Sequence, residues 1–161
     1  MKRITWWPQA WLGLVFSWGA LVGWPAVTGE FALPPLLLWF GSIAWVVGYD
    51  TLYAIQDKED DALVGVKSSA RRLGARAPLG IGICYAIALL LWGGAIWLVR
   101  PDSIALVALA PAAIHLASQA LRASPHDGEL ALRLFRSNRA RIMTASILAR
   151  ARIPPCTKSG C

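Results

Sequence analysis

Residues Phe31 to Asp61, FALPPLLLWFGSIAWVVGYDTLYAIQDKEDD, decide the fold, because an apolar run long enough to cross a bilayer ends there in carboxylates. Five of the chain's nine acidic residues fall between Asp50 and Asp61. A charged group at a membrane boundary is costly unless it is paired or holds a metal, so acidic residues clustered on the emerging end of an apolar helix mark a functional site.

The spacing gives the cluster a shape. On a helix turning about 100° per residue, Asp50, Asp57 and Asp61 lie within roughly 40° of one another, with Ala54 leaving room on the same stripe. At about 1.5 Å rise per residue, Asp57 and Asp61 stand roughly 6 Å apart along the axis and Asp50 about 10 Å further along, so one ion can bridge the first pair but not all three. Oxygen ligands without His or Cys beside them favour Mg2+ or Ca2+ over zinc or copper, and Mg2+ usually binds through one or two carboxylates plus substrate phosphates. Lys58, Lys67, Arg71, Arg72 and Arg76 follow closely, which suits a diphosphate gripped from both sides. An EF-hand does not fit, since its loop needs ligands at alternate positions and a glycine at the sixth. The alternative is a solvated acidic helix end followed by a basic connecting loop.

Composition places this segment in a membrane protein. The chain has 161 residues, 57% of them hydrophobic and 16% charged, with nine Trp. Four apolar stretches approach spanning length: Pro8 to Val27, Phe31 to Ile55, Gly80 to Val99 and Ser103 to Leu121. The expected fold is all-α, a polytopic transmembrane helix bundle with about four spans. The net charge of +7 does not point to nucleic acid, because the basic residues are not interleaved along an aromatic surface. They report topology instead: Lys2 and Arg3 precede the first span, Lys58 to Arg76 follow the second and Arg122 to Arg141 the fourth, while the turns at Thr28 to Glu30 and Arg100 to Asp102 are nearly neutral. The positive-inside rule then puts the Asp cluster and both chain ends on the cytoplasmic side. Trp6, Trp7, Trp11, Trp24, Trp39 and Trp97 lie near span ends, as interfacial anchors do.

Other features carry less chemistry. Cys84, Cys156 and Cys161 show no metal-ligand spacing and imply no disulfide framework. The basic start leads into an apolar stretch that passes Trp18 without a small-residue cleavage site, and so reads as a first span and not a signal peptide. Gly13, Gly19 and Gly23 suit close helix packing in lipid, and Pro34 and Pro35 open the second span where missing amide hydrogens do least harm. Asp61 to Pro78 mixes apolar and basic residues at helical spacing after Gly65, the pattern of a short amphipathic helix covering the carboxylates or of an interfacial connector. His115 reads as a buried, hydrogen-bonded histidine facing a neighbouring helix rather than a ligand. Ser124 to Arg139 carries an apolar stripe of Leu130, Leu134 and Phe135, and the basic sequence beyond it reads as a short helix and disordered tail.

The run from Asp50 to Asp61, with Tyr53, followed by Gly65-Val-Lys67-Ser-Ser-Ala, resembles the second Asp-rich motif of the UbiA-type intramembrane aromatic prenyltransferases, nearest to the branch that prenylates 4-hydroxybenzoate. The opening Met1-Lys-Arg-Ile-Thr and Pro8-Gln9 are similar to the same branch. The likeness covers roughly Met1 to Asn138, so residues 1–139 are expected to form a partial prenyltransferase membrane domain and 140–161 a basic tail, disordered or frameshifted. The resemblance implies a fold of about nine helices with two Asp-rich motifs facing each other across a cavity, of which this chain matches the later half.

It also implies a reaction. A polyprenyl diphosphate is held through Mg2+ by carboxylates of both motifs, its allylic C–O bond ionises, and the cation is captured by the ring carbon beside the hydroxyl of 4-hydroxybenzoate, in ubiquinone biosynthesis. By position, Asp57 and Asp61 would bind Mg2+, Asp50 a second ion or the acceptor hydroxyl, and Lys2 or Arg3 the diphosphate or the acceptor carboxylate, with Tyr53 and Lys67 as further substrate contacts. The membrane would be the bacterial or mitochondrial inner membrane, with the motif on the cytoplasmic or matrix side. The first Asp-rich motif, a Tyr that precedes the position of Lys2, and the last spanning helix have no counterpart. The expectation is therefore a frame truncated at its start and frameshifted near its end, inactive by itself. Two other readings remain: a relative acting on another aromatic or porphyrin acceptor, and a non-catalytic four-helix subunit that binds divalent cations.

Overall fold

The computed structural model describes residues 6–65 and 67–138, and among these it contains helices and connecting turns but no strand. The helices are α1 (Pro8–Phe16), α2 (Trp18–Thr28), α3 (Leu33–Gln56), α4 (Lys58–Leu63), α5 (Ser69–Leu73), α6 (Ala77–Val99), α7 (Ser103–Val107), α8 (Ala110–Arg122) and α9 (128–138). Four helical segments are long and apolar enough to cross a membrane: Pro8–Thr28, Leu33–Gln56, Ser69–Val99 and Ser103–Arg122. The all-α bundle expected from the sequence is the observed fold. Lys2, Arg3 and the tail 140–161 lie outside the described residues.

Two of the four expected spans are broken. The first is interrupted at Ser17, where Ala20 N–H donates back to Ser17 O and tightens the turn to an i→i+3 bond. The fourth breaks at Ala108 and Leu109, because Pro111 has no N–H to donate and its ring would clash with the carbonyl four residues earlier. Pro34 and Pro35 do sit at the first turn of α3, where the unmade bonds cost nothing.

The main contact is between α3 and α6, which run antiparallel. A Cβ on Gly48 would lie 2.5 Å from Tyr85 Cε1, and one on Gly41 would lie 2.7 Å from Trp92 Cδ1. The two bare backbone patches are seven residues apart on α3, and so are the two rings on α6. This spacing lets the helices close without a Cβ between them. Of the first-span glycines, only Gly13 makes such an approach, against Ile43, while Gly19 and Gly23 face open space. The packing role expected of those two is therefore not observed.

The buried core lies at the end of α3 that carries the carboxylates. Leu52 and Ile55 of α3 meet Ile81 and Tyr85 of α6, Leu116 of α8, and Ala131 and Leu134 of α9. Leu73 of α5 lies on Gly80, which docks the short helix onto α6. The stripe read at Leu130, Leu134 and Phe135 is the face with which α9 joins this core: Leu134 belongs to the cluster, Leu130 packs against it half-buried, and Phe135 lies against α3.

Gly48→Ala should force Tyr85 off its seat at a cost of about 1–3 kcal/mol, lowering the melting temperature in detergent, whereas Gly19→Ala should leave it unchanged. Equal melting of the two variants would show that the glycine contact does not set the α3–α6 spacing.

Candidate functional site

The site is built where α3 ends. Its helix stops at Gln56, Asp57 takes φ −83° and ψ 3°, and α4 starts at Lys58. The chain bends there but keeps its helical spacing, since Asp61 N–H donates to Asp57 O at 2.8 Å. Asp57 and Asp61 thus stay one turn apart, a separation of about 5–6 Å between Cβ atoms. Asp61 is 9% exposed, Asp57 and Asp50 are half-buried, and Asp60 is exposed. The straight stripe through Asp50, Asp57 and Asp61 is therefore a bent one, with Asp50 on α3 and Asp61 on α4.

Beyond α4 the chain reverses through Gly65, whose φ of +71° favours glycine, and enters α5. Ser68 caps α5 by accepting from Arg71 N–H. Thr51 fixes α5 to α3: its hydroxyl donates to Val47 O at 2.7 Å and lies 2.9 Å from Ser69 Oγ in a buried contact. This docking aims Arg71 back at the carboxylate turn, where Nη1 donates to Asp61 O at 3.1 Å. Lys67 Nζ and the Arg71 guanidinium both lie over the Trp6 ring, 5.7 and 5.9 Å from its centre. Of the two readings left open for the Asp61 to Pro78 segment, the short helix is the observed one.

Two cations on one indole, beside a turn carrying two carboxylates, make an arrangement that can grip a metal-bound diphosphate from both sides. The donor chemistry fits Mg2+: the close pair is all oxygen, and among the described residues no group of three or more His, Cys, Asp or Glu could hold an ion by itself. An ion completed by substrate phosphate and by further carboxylates matches that supply.

Tyr53 is 37% exposed and its ring lies 5.2 Å from that of Phe135, which also lies 5.8 Å from Tyr49. Tyr53 therefore packs, and still shows part of its ring. His115 does not act alone: its Nε2 lies 3.3 Å from both Asn138 Oδ1 and Gln119 Nε2, matching the expected hydrogen bonding, while the side chain is half-buried and not fully buried as expected.

Three contributions were not read from the sequence. Trp6, by its position an interfacial anchor, also carries both cations. Gln119, 1% exposed, accepts from the Tyr85 hydroxyl at 2.9 Å, and its two amide hydrogens are shared among Leu134 O, Ser137 Oγ and Asn138 Oδ1, tying α6, α8 and α9 together. Gly128 brings the start of α9 against Gln56, where a Cβ would lie 3.2 Å from the Gln56 Cα, so α9 braces the bend. The visible signal for Gln119 was a polar amide inside an apolar segment.

The model of the UbiA prenyltransferase family matches residues 1–145. The chain belongs to that family. Among its relatives, the mitochondrial 4-hydroxybenzoate polyprenyltransferase of Rattus norvegicus is 42% identical over 146 residues, covering 86% of this chain and 37% of the relative. The enzyme of the same name from Arabidopsis thaliana is 55% identical over 80 residues, 49% of this chain and 20% of the relative. That of Bos taurus is 58% identical over 74 residues, 44% and 19%. The chain thus spans little more than a third of the rat relative's length and less of the other two. No solved structure matches it.

Thr51→Val removes the hydroxyl that meets Ser69. One net hydrogen bond is worth about 0.5–1.5 kcal/mol, so tryptic cleavage at Arg71 and Arg72 should speed up by a factor of about 2 to 13. Unchanged cleavage would show that this contact does not hold α5 in place.

Proposed function

We propose that this chain supplies the second carboxylate motif of a Mg2+-dependent transferase that moves a polyprenyl group from polyprenyl diphosphate to 4-hydroxybenzoate in ubiquinone biosynthesis. The observation that carries this reading is the bent turn of Asp57 and Asp61 with Arg71 bonded across it to the Asp61 carbonyl. Membership of the family and the printed names of the relatives support it. Those names also place the relatives in mitochondria. For this chain the same reading is an inner membrane, mitochondrial or bacterial, with the motif on the matrix or cytoplasmic side.

Asp57 and Asp61 would hold the ion, which when bound supplies Lewis acidity to the leaving diphosphate. Lys67 and Arg71 bind diphosphate oxygens from the other side, with Lys2 or Arg3 reaching the diphosphate or the acceptor carboxylate. The allylic C–O bond breaks with its electron pair going to the diphosphate. The ring carbon beside the phenolic hydroxyl then forms the new bond and loses its proton. Asp50, seven residues before Asp57, takes a second ion or the acceptor hydroxyl. Tyr49 and Tyr53, on the same helix as Asp50, form an aromatic wall with Phe135 of α9, and ring faces of this kind attract a developing cation. The described residues contribute one close carboxylate pair, so little turnover is expected of this polypeptide alone.

The test is a whole-length chimera in which residues 1–138 replace the matching portion of the rat relative. Mg2+-dependent prenylation of 4-hydroxybenzoate is expected, and Asp57→Asn and Asp61→Asn should each lower turnover by about two to three orders of magnitude, as loss of a transition-state charge contact does. Turnover near that of the unaltered chimera in both variants would remove the pair from the metal site.

A further inference from the structure

A groove of about 470 Å3 runs between α6 and α8, lined by Pro78, Leu79, Gly82 and Ile83 on one side and by Ala120 and Leu121 on the other. Its floor is narrow because Gly82 has no Cβ and sits against Ala120, while Leu79, Ile83 and Leu121 stand exposed at its rims. Both helices belong to candidate membrane spans. The mouth is different in character. Arg76 directly precedes α6 and Arg122 ends α8, both are exposed, and among the described residues neither makes an ion pair or a side-chain hydrogen bond.

We propose that this groove retains an anionic phospholipid, with one acyl chain in the groove and the phosphate between Arg76 and Arg122. Charge argues for a phosphate head, since guanidinium groups at the membrane surface bind lipid phosphate, and basic pockets between spans are where such heads lodge. Polyprenyl diphosphate is the poorer occupant. The groove is formed by α6 and α8, whereas Asp50, Asp57 and Asp61 lie on α3 and at the α3–α4 bend, so a diphosphate here would lack a carboxylate-held metal. The inference does not depend on the proposed transferase reaction.

Native mass spectrometry of the 161-residue chain released from nanodiscs of equal phosphatidylglycerol and phosphatidylcholine tests it. One phosphatidylglycerol should stay bound in roughly thirtyfold preference to phosphatidylcholine, the size two basic contacts give. The Arg76→Gln/Arg122→Gln variant should lose the preference. Gly82→Leu, which fills the floor and leaves both arginines, should lower retention of either lipid. Equal retention of the two lipids by the unaltered chain, or an unchanged preference in the double variant, would overturn the proposal. Displacement of the phosphatidylglycerol by farnesyl diphosphate would overturn it in favour of the substrate, and a lipid-free dimer mass would do so in favour of a second copy.

Discussion

Everything at the carboxylate end of this bundle depends on the closeness of α3 to α6, which exists because Gly41 and Gly48 present bare backbone to the rings of Trp92 and Tyr85. In lipid there is little hydrophobic drive to press helices together, so intimate contact of this kind has to come from shape. Its consequences run in sequence. With the helices this close, Leu52 and Ile55 reach Ile81, and Tyr85 is held where its hydroxyl meets Gln119. Gln119 in turn holds α9, and α9 brings Phe135 against Tyr49 and Tyr53 and braces the bend at Gln56.

On that support the chain turns at Asp57 and folds α5 back. Burying a carboxylate such as Asp61 at a membrane boundary is expensive, and Arg71 of the next segment is brought to the same turn, where it donates to the Asp61 carbonyl. Thr51 and Ser69 fix the return, Ser68 starts the helix, and Trp6 gathers Lys67 and Arg71. The result is a carboxylate turn and a pair of cations on neighbouring elements, complementary to a metal and to an anion respectively. A polyprenyl diphosphate with Mg2+ carries both kinds of charge.

Much of this was legible because membrane physics constrains sequence strongly. Apolar length located the first, second and fourth spans to within a few residues, whereas the third begins at Ser69 and not at Gly80, and the i, i+4 spacing of Asp57 and Asp61 survives the bend. What escaped was set by contacts between distant segments. No local signal at Ser17 marks the break in the first span, whereas Pro111 could have been read as ending α7. Gly19 and Gly23 look like Gly13 in sequence, yet of the three only Gly13 meets a neighbour, and nothing local distinguishes Gly41 and Gly48, which carry the main interface. Trp6 and Lys67 are more than sixty residues apart, so their meeting depends on how α5 docks. The expectations for Lys2, Arg3 and the tail fall outside the described residues.

The central claim is that the bend at Asp57 and the helix folded over it close together on a metal-bound diphosphate. Hydrogen exchange of residues 50–76 in the chimera tests this most directly, measured with Mg2+ alone, with a polyprenyl diphosphate alone and with both. Strong slowing only when both are present is the predicted result. Full slowing with Mg2+ alone, or the same exchange in all three conditions, would contradict it.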